Sequence, residues 1–522
     1  MIPDGLNPAT LLVIQLARFG DFLQTTPLLA ALKARYPNSR LTVLVNSDQA
    51  GLAETNPNID KILTVNLGKL AAVAQSEISL PKKLKYISES IKTLKKQEYD
   101  LLINLNTSRI AALLGSLIPA KKREGSHFGQ DRKRLLTAPW TGFIMNLMTC
   151  RRLIRFNLVD LLTTYAGNGA QPSKGLTYPL TFENTRLADN LLGSCHAGPL
   201  IGYQLGSRHE TRQWPAEYFA ALGAKQITED GAQLVLIGTD AERSLAEKFM
   251  AEIEQIKPQA KARILNLMGQ TTIPALAGVL DRLDLLVTTD TGSMHLAAAV
   301  GTPILALFMG PAYCHETGPY GPGHLIIQTV TDCSPCTENE SRCSNAFCRY
   351  LIKPELVFSM ARYLLKKTAA PCLMSETGPH VRLLVSGVDS FGTIYKPLVP
   401  WRLDNEEILA TAYREAGRSF MRAGYRLDQD KLLAEFKSFE SSELSIAKNI
   451  SKSLNLIEKL LQLKQDQKTI ISLKKITDEE PNFRPLIKTV LLPHVSAKAA
   501  RLMIQNMNTV ISTARSSACS LL

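Results

Sequence analysis

The chain has 522 residues, with 60 Lys and Arg against 47 Asp and Glu, a formal net charge of +13. This length exceeds what one ordinary hydrophobic core organises, so we expect two or three domains. A hydrophobic fraction of 45% excludes a wholly disordered or fibrous chain. The sequence contains no run of 18 uncharged apolar residues and begins without the features of a secretory signal, so we expect a cytoplasmic protein.

The first part of the sequence alternates strand-like and helix-like segments. Apolar runs at 11–16, 40–46 and 100–106 have the length and composition of strands buried on both faces. Helical stretches separate these runs, which is typical of a parallel sheet covered on both sides. We therefore predict an N-terminal Rossmann-like domain over residues 1–170.

A Gly- and Pro-rich stretch at 167–179 separates this part from a second alternating series. Strand-like runs recur at 232–240, 262–269 and 283–290, and the last continues directly into a helix. We predict a second Rossmann-like domain over 180–370, with a cleft between the two halves. Open α/β sheets bind their ligands at the carboxyl ends of the strands, so the site is expected there.

The alternation is lost from about residue 376. Apolar residues spaced 3,4,3,4 between 447 and 461 mark one side of an amphipathic helix, and 495–513 is predicted to be another helix. We predict a mainly helical extension over 376–522. It packs on the body of the protein, docks a partner or lies on a membrane, and the sequence leaves these three roles open.

Basic residues are concentrated between Lys121 and Arg155, where nine of them stand against two acids. Trp140 and Phe143 lie between the basic clusters. The run is either an ordinary solvated face or a surface suited to a membrane or an anionic acceptor. The residues that we assign to acceptor binding are Lys121, Lys122, Arg123, Arg132 and Arg134.

Four of the nine cysteines lie close together, in a C-x2-C-x6-C-x4-C pattern. Thiolates clustered in this way can hold a tetrahedral Zn²⁺ ion, although the spacing departs from two paired C-x2-C motifs. The alternatives are a disulfide clip and free thiols, and we expect no catalytic metal. The cysteines of this cluster are Cys333, Cys336, Cys343 and Cys348.

Three segments that follow strands carry candidate chemistry. In the first, Gly20 permits a tight turn and Asp21 is placed at the mouth of the cleft, before a helix expected to begin near Pro27. A carboxylate there could take a proton from a sugar hydroxyl. The alternative is an aspartate that merely caps the turn.

The second segment carries Arg212 before Trp214, and a cation at this place suits a diphosphate. The third segment runs from Asp290 to His295 and joins a buried strand to a helix, whose first backbone N–H groups favour anionic phosphate oxygens. The alternatives are a solvated arginine in the second segment and an ordinary strand–helix connection in the third. Neither segment has the glycine pattern of dinucleotide-binding or P-loop proteins.

These segments together resemble glycosyltransferase family 9, the ADP-heptose:lipopolysaccharide heptosyltransferases of Gram-negative bacteria. The resemblance rests on three ordered motifs, R-x-G-D-x-x-x-T-x-P, R-x-W-P and D-T-G-x-x-H-L-A-A-A-x-G-T-P, within residues 10–365. It implies a GT-B architecture, in which two Rossmann-like domains face each other. The N-terminal domain would bind the acceptor and the C-terminal domain the nucleotide-sugar.

The resemblance also implies roles for individual residues. Asp21 takes the place of the catalytic base, and Arg212 stands where the family usually has a lysine for the donor phosphates. Asp290 would contact the donor sugar, and Glu242 would bind its ribose. The donor-binding residues implied by the resemblance are Arg212, Glu242, Asp290, Thr291, Gly292 and His295.

The activity that the resemblance implies is inverting transfer of heptose, or a related sugar, from ADP-heptose to an anionic lipooligosaccharide. This activity would require no metal, and we expect it to take place at the inner face of the inner membrane. The extension and the cysteine cluster depart from the family pattern, so the donor and acceptor could differ. A nucleotide-sugar epimerase of the GT-B fold and a non-catalytic nucleotide-sugar-binding scaffold are the alternatives. Nucleic acid is not an expected partner, because no reading motif is present.

Overall fold

The computed structural model describes residues 7–137, 144, 147–167, 173, 175–193, 198–336, 343, 345–366, 378–401, 405–421 and 504–511. Within these residues the chain forms two sheets, each flanked by helices. The predicted α/β fold class is therefore confirmed. The helix predicted from the apolar spacing at 447–461 lies outside the described residues.

The first sheet contains six strands, of which the central ones are rich in Leu, Val and Ile and are buried on both faces. The strands are β1 (Thr10–Gln15), β2 (Arg40–Asn46), β3 (Lys61–Val65), β4 (Tyr99–Asn104), β5 (Ala120–Phe128) and β6 (Arg134–Leu136). Their order across the sheet is β3-β2-β1-β4-β5-β6. Strands β1 to β5 are parallel and β6 runs antiparallel to β5, so the carboxyl ends of β1 and β4 lie at one edge.

Helices cover both faces of this sheet. They are α1 (Phe19–Arg35), α2 (Ala50–Glu54), α3 (Leu67–Gln75), α4 (Leu80–Lys92), α5 (Arg109–Leu117) and α6 (Leu158–Thr163).

The start of α1 corrects the prediction that a helix begins near Pro27. The helix begins at Phe19 and contains Pro27, so the first candidate segment is helical. Proline lacks the N–H that would bond to the carbonyl of Leu23. The hydroxyl of Thr26 donates to that carbonyl instead, at 2.8 Å, which is how the helix tolerates the proline.

The second sheet has eight strands and includes part of the predicted extension. The strands are β7 (Leu200–Gln204), β8 (Gln233–Ile237), β9 (Ile264–Asn266), β10 (Leu285–Thr289), β11 (Ile304–Phe308), β12 (Leu325–Thr329), β13 (Val381–Val388) and β14 (Thr393–Pro397). Their order is β14-β13-β12-β11-β10-β7-β8-β9. Strands β7 to β12 are parallel, and β13 and β14 add an antiparallel edge. The extension thus begins as part of the second sheet.

The remaining helices flank this sheet or belong to the extension, whose described residues at 405–421 and 504–511 are helical, as predicted. They are α7 (Phe182–Leu192), α8 (Ala216–Asp230), α9 (Arg243–Ile256), α10 (Ile273–Arg282), α11 (Gly292–Val300), α12 (Cys314–Thr317), α13 (Pro354–Leu364) and α14 (Asn405–Met421), with a further helix at 504–511. In the part of the chain that is described, no helix combines the length and apolar character needed to cross a membrane.

The two lobes share one hydrophobic core. The same cluster of buried side chains contains Val13 and Leu23 of the first lobe and Leu286 and Met294 of the second. Helices α1 and α11 are in contact, and both begin at the carboxyl ends of central strands. The starts of these two helices therefore meet between the lobes.

Candidate active site between the two lobes

Asp21 lies in the first turn of α1, on the first lobe. Its Oδ2 atom accepts a hydrogen bond from the backbone N–H of Arg18 at 3.0 Å, so the carboxylate caps the helix. The side chain is half-buried and lies close enough to Asp290 of the second lobe for its charge to raise the pKa of that residue. Asp21 therefore caps a helix and also faces the candidate donor residues.

The contact between the two helix starts is very close. A β-carbon built on Gly20 would lie 3.0 Å from the Cα atom of Gly292 and 3.2 Å from the ring of His295. A β-carbon on Gly292 would lie 2.3 Å from the ring of Phe19. Glycine is required at both positions because larger residues would separate the lobes.

The N-terminus of α11 presents a favourable place for an anion. Thr291 has an extended backbone and precedes the first helical residue, Gly292. The first N–H groups of a helix have no acceptor within it, and the helix dipole adds positive charge at the same end. This turn can therefore hold the oxygens of a diphosphate.

Asp290 and Arg212 form a buried ion pair beside this turn. Their atoms Oδ2 and Nη1 are 3.1 Å apart, and the two side chains are 11% and 13% exposed. Burial raises the pKa of Asp290 to about 6, although the charge of Arg212 and a hydrogen bond from Thr317 act in the opposite direction. At neutral pH Asp290 is thus an ionised acceptor held next to a guanidinium.

His295 links the lobes from the first turn of α11. Its Nε2 atom lies 3.3 Å from Nε2 of Gln24, one helical turn beyond Gly20 in α1. Burial lowers the pKa of His295 to about 4, so the imidazole is neutral at pH 7. Among the described residues Nδ1 of His295 and Oε1 of Gln24 find no hydrogen-bond partner. Both groups therefore keep unused hydrogen-bonding capacity at the contact between the lobes.

Glu242 lies at the same edge of the second sheet. Its Oε2 atom accepts hydrogen bonds from the N–H and hydroxyl of Thr239, at 2.7 and 2.9 Å. Its other oxygen lies against Gly206, where a β-carbon would approach it to 1.8 Å. The carboxylate is thus fixed beyond the ends of β7 and β8, at the carboxyl edge of the second sheet.

The structure does not bring the predicted acceptor cations together. Lys121 pairs with Asp100 at 2.8 Å, at the amino ends of β5 and β4, which is the edge opposite Asp21. Lys122 lies next to it and pairs with Glu124. The guanidinium of Arg123 donates to three backbone carbonyls between the last turn of α5 and the start of β5.

The other two cations of this set lie on the hairpin that joins β5 and β6. Arg132 is exposed in its turn, with a positive φ of 60°. Arg134 donates to the Ser126 hydroxyl at 2.9 Å and to the backbone carbonyl of Thr107, beyond the carboxyl end of β4. Of the five residues, Arg134 is the one that the contacts tie to the edge at which Asp21 lies.

The four clustered cysteines are described, and all have free thiols. Within the described ranges, no group of three or more His, Cys, Asp or Glu side chains is arranged to hold a metal ion. Burial raises the pKa of Cys336 and of Cys348, and neighbouring thiols of the cluster raise it further. The four side chains therefore lie near one another without a disulfide, and zinc binding stays a prediction.

Sequence reasoning missed several residues of this region. Gln24 belongs to the first motif and could have been placed by its spacing of four from Gly20. Thr317 and Glu316, in α12, reach the surroundings of Asp290, and Arg151 reaches Glu316 from the first lobe. No sequence motif could have identified Arg151, Glu316 and Thr317, because Arg151 and Glu316 are 165 residues apart in the chain.

Comparison with known proteins shows which proteins this chain resembles. Residues 87–346 match the family model "Glycosyltransferase family 9 (heptosyltransferase)", a range that holds the second and third candidate segments. Lipopolysaccharide heptosyltransferase 3 of Escherichia coli is 26% identical over 296 residues, 55% of this chain and 80% of that protein. Lipooligosaccharide heptosyltransferase 2 of Campylobacter jejuni is 25% identical over 350 residues, 67% of this chain and 96% of that protein.

A solved structure supports the fold. The glycosyl transferase family 9 protein from Veillonella parvula superposes with a TM-score of 0.55 at 23% identity, covering 69% of this chain and 98% of that one. The likeness confirms the GT-B arrangement of two facing lobes. With the match over about half of its length, the chain belongs to glycosyltransferase family 9 and is a glycosyltransferase.

Proposed function

We propose that this protein transfers heptose, or a related sugar, from ADP-heptose to a lipopolysaccharide-type acceptor, with inversion and without a metal. The observation that carries the proposal is the meeting of Asp21 with the Asp290–Arg212 pair and the start of α11 between the lobes. The names of the relatives, which are lipopolysaccharide and lipooligosaccharide heptosyltransferases, support the choice of sugar and acceptor.

The donor is assigned to the second lobe. The diphosphate binds the N–H groups at Gly292 and the guanidinium of Arg212, which can contact two phosphate oxygens at once. Asp290 accepts hydrogen bonds from the sugar hydroxyls, and Glu242 does so from the ribose. His295, neutral at pH 7, donates from Nδ1 without adding charge.

The reaction is a single displacement at the anomeric carbon. Asp21 takes the proton of the acceptor hydroxyl while that oxygen attacks from the face opposite the diphosphate. The bond to the diphosphate breaks, and the negative charge that develops there is stabilised by Arg212 and the helix dipole of α11. One displacement inverts the configuration at the anomeric carbon. Because Arg212 and the helix dipole stabilise the charge on the diphosphate, no metal ion is needed for that purpose.

The test is transfer by Asp21→Asn. The amide cannot accept the proton but is nearly the same size, so we expect kcat to fall by roughly 10²–10⁴-fold. The matched control is Asp281→Asn, the same change at an exposed position on α10. If Asp21→Asn transfers sugar within a few fold of the wild type, Asp21 is not the base.

The two alternatives give different products. An epimerase converts the nucleotide-sugar in the absence of any acceptor, whereas a transferase releases ADP only when the acceptor is present, apart from slow hydrolysis. A binding scaffold releases no ADP under either condition. Product analysis with and without acceptor therefore separates the three functions.

We further infer that the enzyme works as a peripheral protein on the inner face of the inner membrane. On α5 the exposed apolar residues Ile110, Leu113 and Leu117 lie at spacings of three and four, which places them on one helical face beside Arg109. The segment before α5 lies at the edge that holds Asp21, since Asn106 accepts the N–H of Leu16 at 2.9 Å. An apolar face next to cations suits an anionic bilayer.

Vesicle sedimentation tests this location. We expect the protein to pellet with phosphatidylglycerol vesicles and much less with phosphatidylcholine vesicles, and Leu113→Glu to weaken the association. Ile256→Glu, which changes a similarly exposed apolar residue at the end of α9, is the control. Equal sedimentation of Leu113→Glu and wild type would exclude this face of α5.

A further inference from the structure

A segment that leaves the first lobe lies against the second lobe beside the donor residues. It contains the 3-10 helix Met148–Leu153, and it belongs to the basic run that the sequence suggested for an acceptor or a membrane. The arginines of this segment, Arg151, Arg152 and Arg155, instead point into the protein, with side chains 15%, 32% and 10% exposed. These arginines therefore make contacts within the protein and do not form a surface for an acceptor or a membrane.

Arg151 has the most complete set of contacts. Its guanidinium forms a bidentate pair with Glu316, with Nε–Oε1 and Nη2–Oε2 distances of 3.0 and 2.6 Å. It also donates to the backbone carbonyls of Pro311 and Cys336, at 2.8 and 2.7 Å. One side chain thus ties two loops of the second lobe to a segment of the first.

Glu316 lies within the charge network of the donor site. It precedes Thr317, whose hydroxyl donates to Asp290. The charge of Arg212 lowers the pKa of Glu316, against the larger effect of burial, so Arg212 is near both carboxylates. Glu316 is 15% exposed, and its charge needs a cation close by.

The extension holds the same segment from the other side. In α14, Glu407 pairs with Arg155 at 3.0 Å and Glu406 with Arg152 at 3.4 Å. Arg414, also in α14, donates to the backbone carbonyl of Arg155 at 2.5 Å. The 151–155 segment therefore lies between the donor lobe and the extension.

We propose that Arg151 is a positioning residue for the donor site: it neutralises Glu316, so that Arg212 stays on Asp290 and the diphosphate, and α14 keeps Arg151 in place. This rests on the proposed function, since it takes the surroundings of Arg212 to be the nucleotide site. It gives the extension a role, which is to complete the donor lobe from outside the two Rossmann-like domains.

The physical reason is the cost of an uncompensated buried charge. Without Arg151, the carboxylate of Glu316 keeps its low exposure but loses its bidentate partner. Arg212 is a cation already close to it, so the guanidinium turns towards Glu316 and away from Asp290. Removing the charge of Glu316 at the same time removes this competition, which makes a double variant informative.

The experiment is calorimetric titration of ADP into the full-length protein. We expect Arg151→Gln to weaken ADP binding by roughly tenfold or more, as loss of one partner of a buried charge pair does. Arg151→Gln combined with Glu316→Gln should bind within a few fold of wild type. Arg151→Lys, which keeps the charge but loses the planar fork, should lie between them and provides a second, milder variant.

Recovery in the double variant separates charge balance from simple loss of packing, because the second change adds no contact for the missing guanidinium. If Arg151→Gln binds ADP as wild type does, or if the double variant binds no better than the single one while melting at the same temperature, the positioning role is wrong. If the wild type itself binds no ADP, the proposed donor site fails together with this inference.

The contribution of α14 has its own pair of variants. Glu406→Gln with Glu407→Gln should weaken ADP binding in the same direction as Arg151→Gln. Arg418→Gln is the control, because Arg418 is also on α14 and is ion-paired with Glu415 and Asp389. If the variant with Glu406→Gln and Glu407→Gln binds ADP as tightly as Arg418→Gln does, α14 does not hold Arg151 in place.

Discussion

The contact of Gly20 with the second lobe offers a direct test of the site. In Gly20→Ala the new methyl carbon would lie 3.0 Å from the Cα atom of Gly292 and 3.2 Å from the His295 ring. Carbon atoms prefer to be about 3.5–4.0 Å apart. The starts of α1 and α11 must therefore separate by about 0.5–1 Å, and the Cα atom of Gly292 belongs to a helix that cannot turn aside.

The effect on activity should be larger than the effect on stability. Overpacking of this kind costs about 1–3 kcal/mol. Alanine is better than glycine in a helix by about 0.5–1 kcal/mol, which offsets part of that cost. A displacement of about 1 Å between reacting groups can lower the rate by about 100-fold. We expect kcat/KM for sugar transfer to fall by roughly 10–100-fold, with only a small decrease in melting temperature.

Transfer kinetics and thermal unfolding of the same preparations provide the measurement. Gly51→Ala is the matched control, because Gly51 also lies in a helix of the first lobe but its β-carbon would meet nothing within 4 Å. We expect the control to keep full activity and to be slightly more stable. A Gly20→Ala enzyme with wild-type kcat/KM would refute the assignment of the site to this contact.

Three further predictions concern ionisable groups. Burial raises the pKa of Asp160 to about 8, well above its value in the unfolded chain, so the free energy of unfolding should fall by at most about 1.4 kcal/mol per pH unit from about pH 4 to pH 8. Denaturant titrations over this pH range should show that the free energy of unfolding of Asp160→Asn changes less with pH than that of the wild type. Because Asp290 has a pKa of about 6, kcat/KM for the donor should decline below that pH, and Asp290→Asn should remove this limb at a lower overall rate. Arg134→Ala should raise the KM for the acceptor, whereas Lys121→Ala, at the opposite edge of the sheet, should leave it unchanged; a reversed ranking in initial-rate assays would contradict the placement.

The positions of the candidate donor residues could be anticipated because they are local to their strands. Asp290, Thr291 and Gly292 follow a run of buried residues and precede a helix, and any parallel strand in an open sheet delivers such residues to its carboxyl edge. The same applies to Asp21 after β1. The sequence predicts the start of α1 too late, because proline is common at the first position of a helix. The Thr26 hydroxyl that compensates for Pro27 inside the helix is visible only in three dimensions.

The basic run between Lys121 and Arg155 shows that a local sequence pattern does not predict the partners of charged residues. Lys121 and Arg151 look equivalent in sequence. In the structure Lys121 pairs with Asp100 at the amino ends of the strands of the first sheet, whereas Arg151 pairs with a buried carboxylate of the second lobe. The partner of Arg151 is 165 residues away and has no motif. The extension is similar: its helical character was predicted, whereas its two strands on the second sheet and its ion pairs to Arg152 and Arg155 were not.

The sequence by itself therefore determined the two alternating α/β halves, the helices described in the extension and the three segments that follow central strands. Those features depend on periodicity and on turn residues, which act over a few positions. The tertiary structure alone decided which charges meet, because burial selects a partner through space. That choice puts Asp21 opposite Asp290, places Arg151 on Glu316 and joins the extension to the donor lobe.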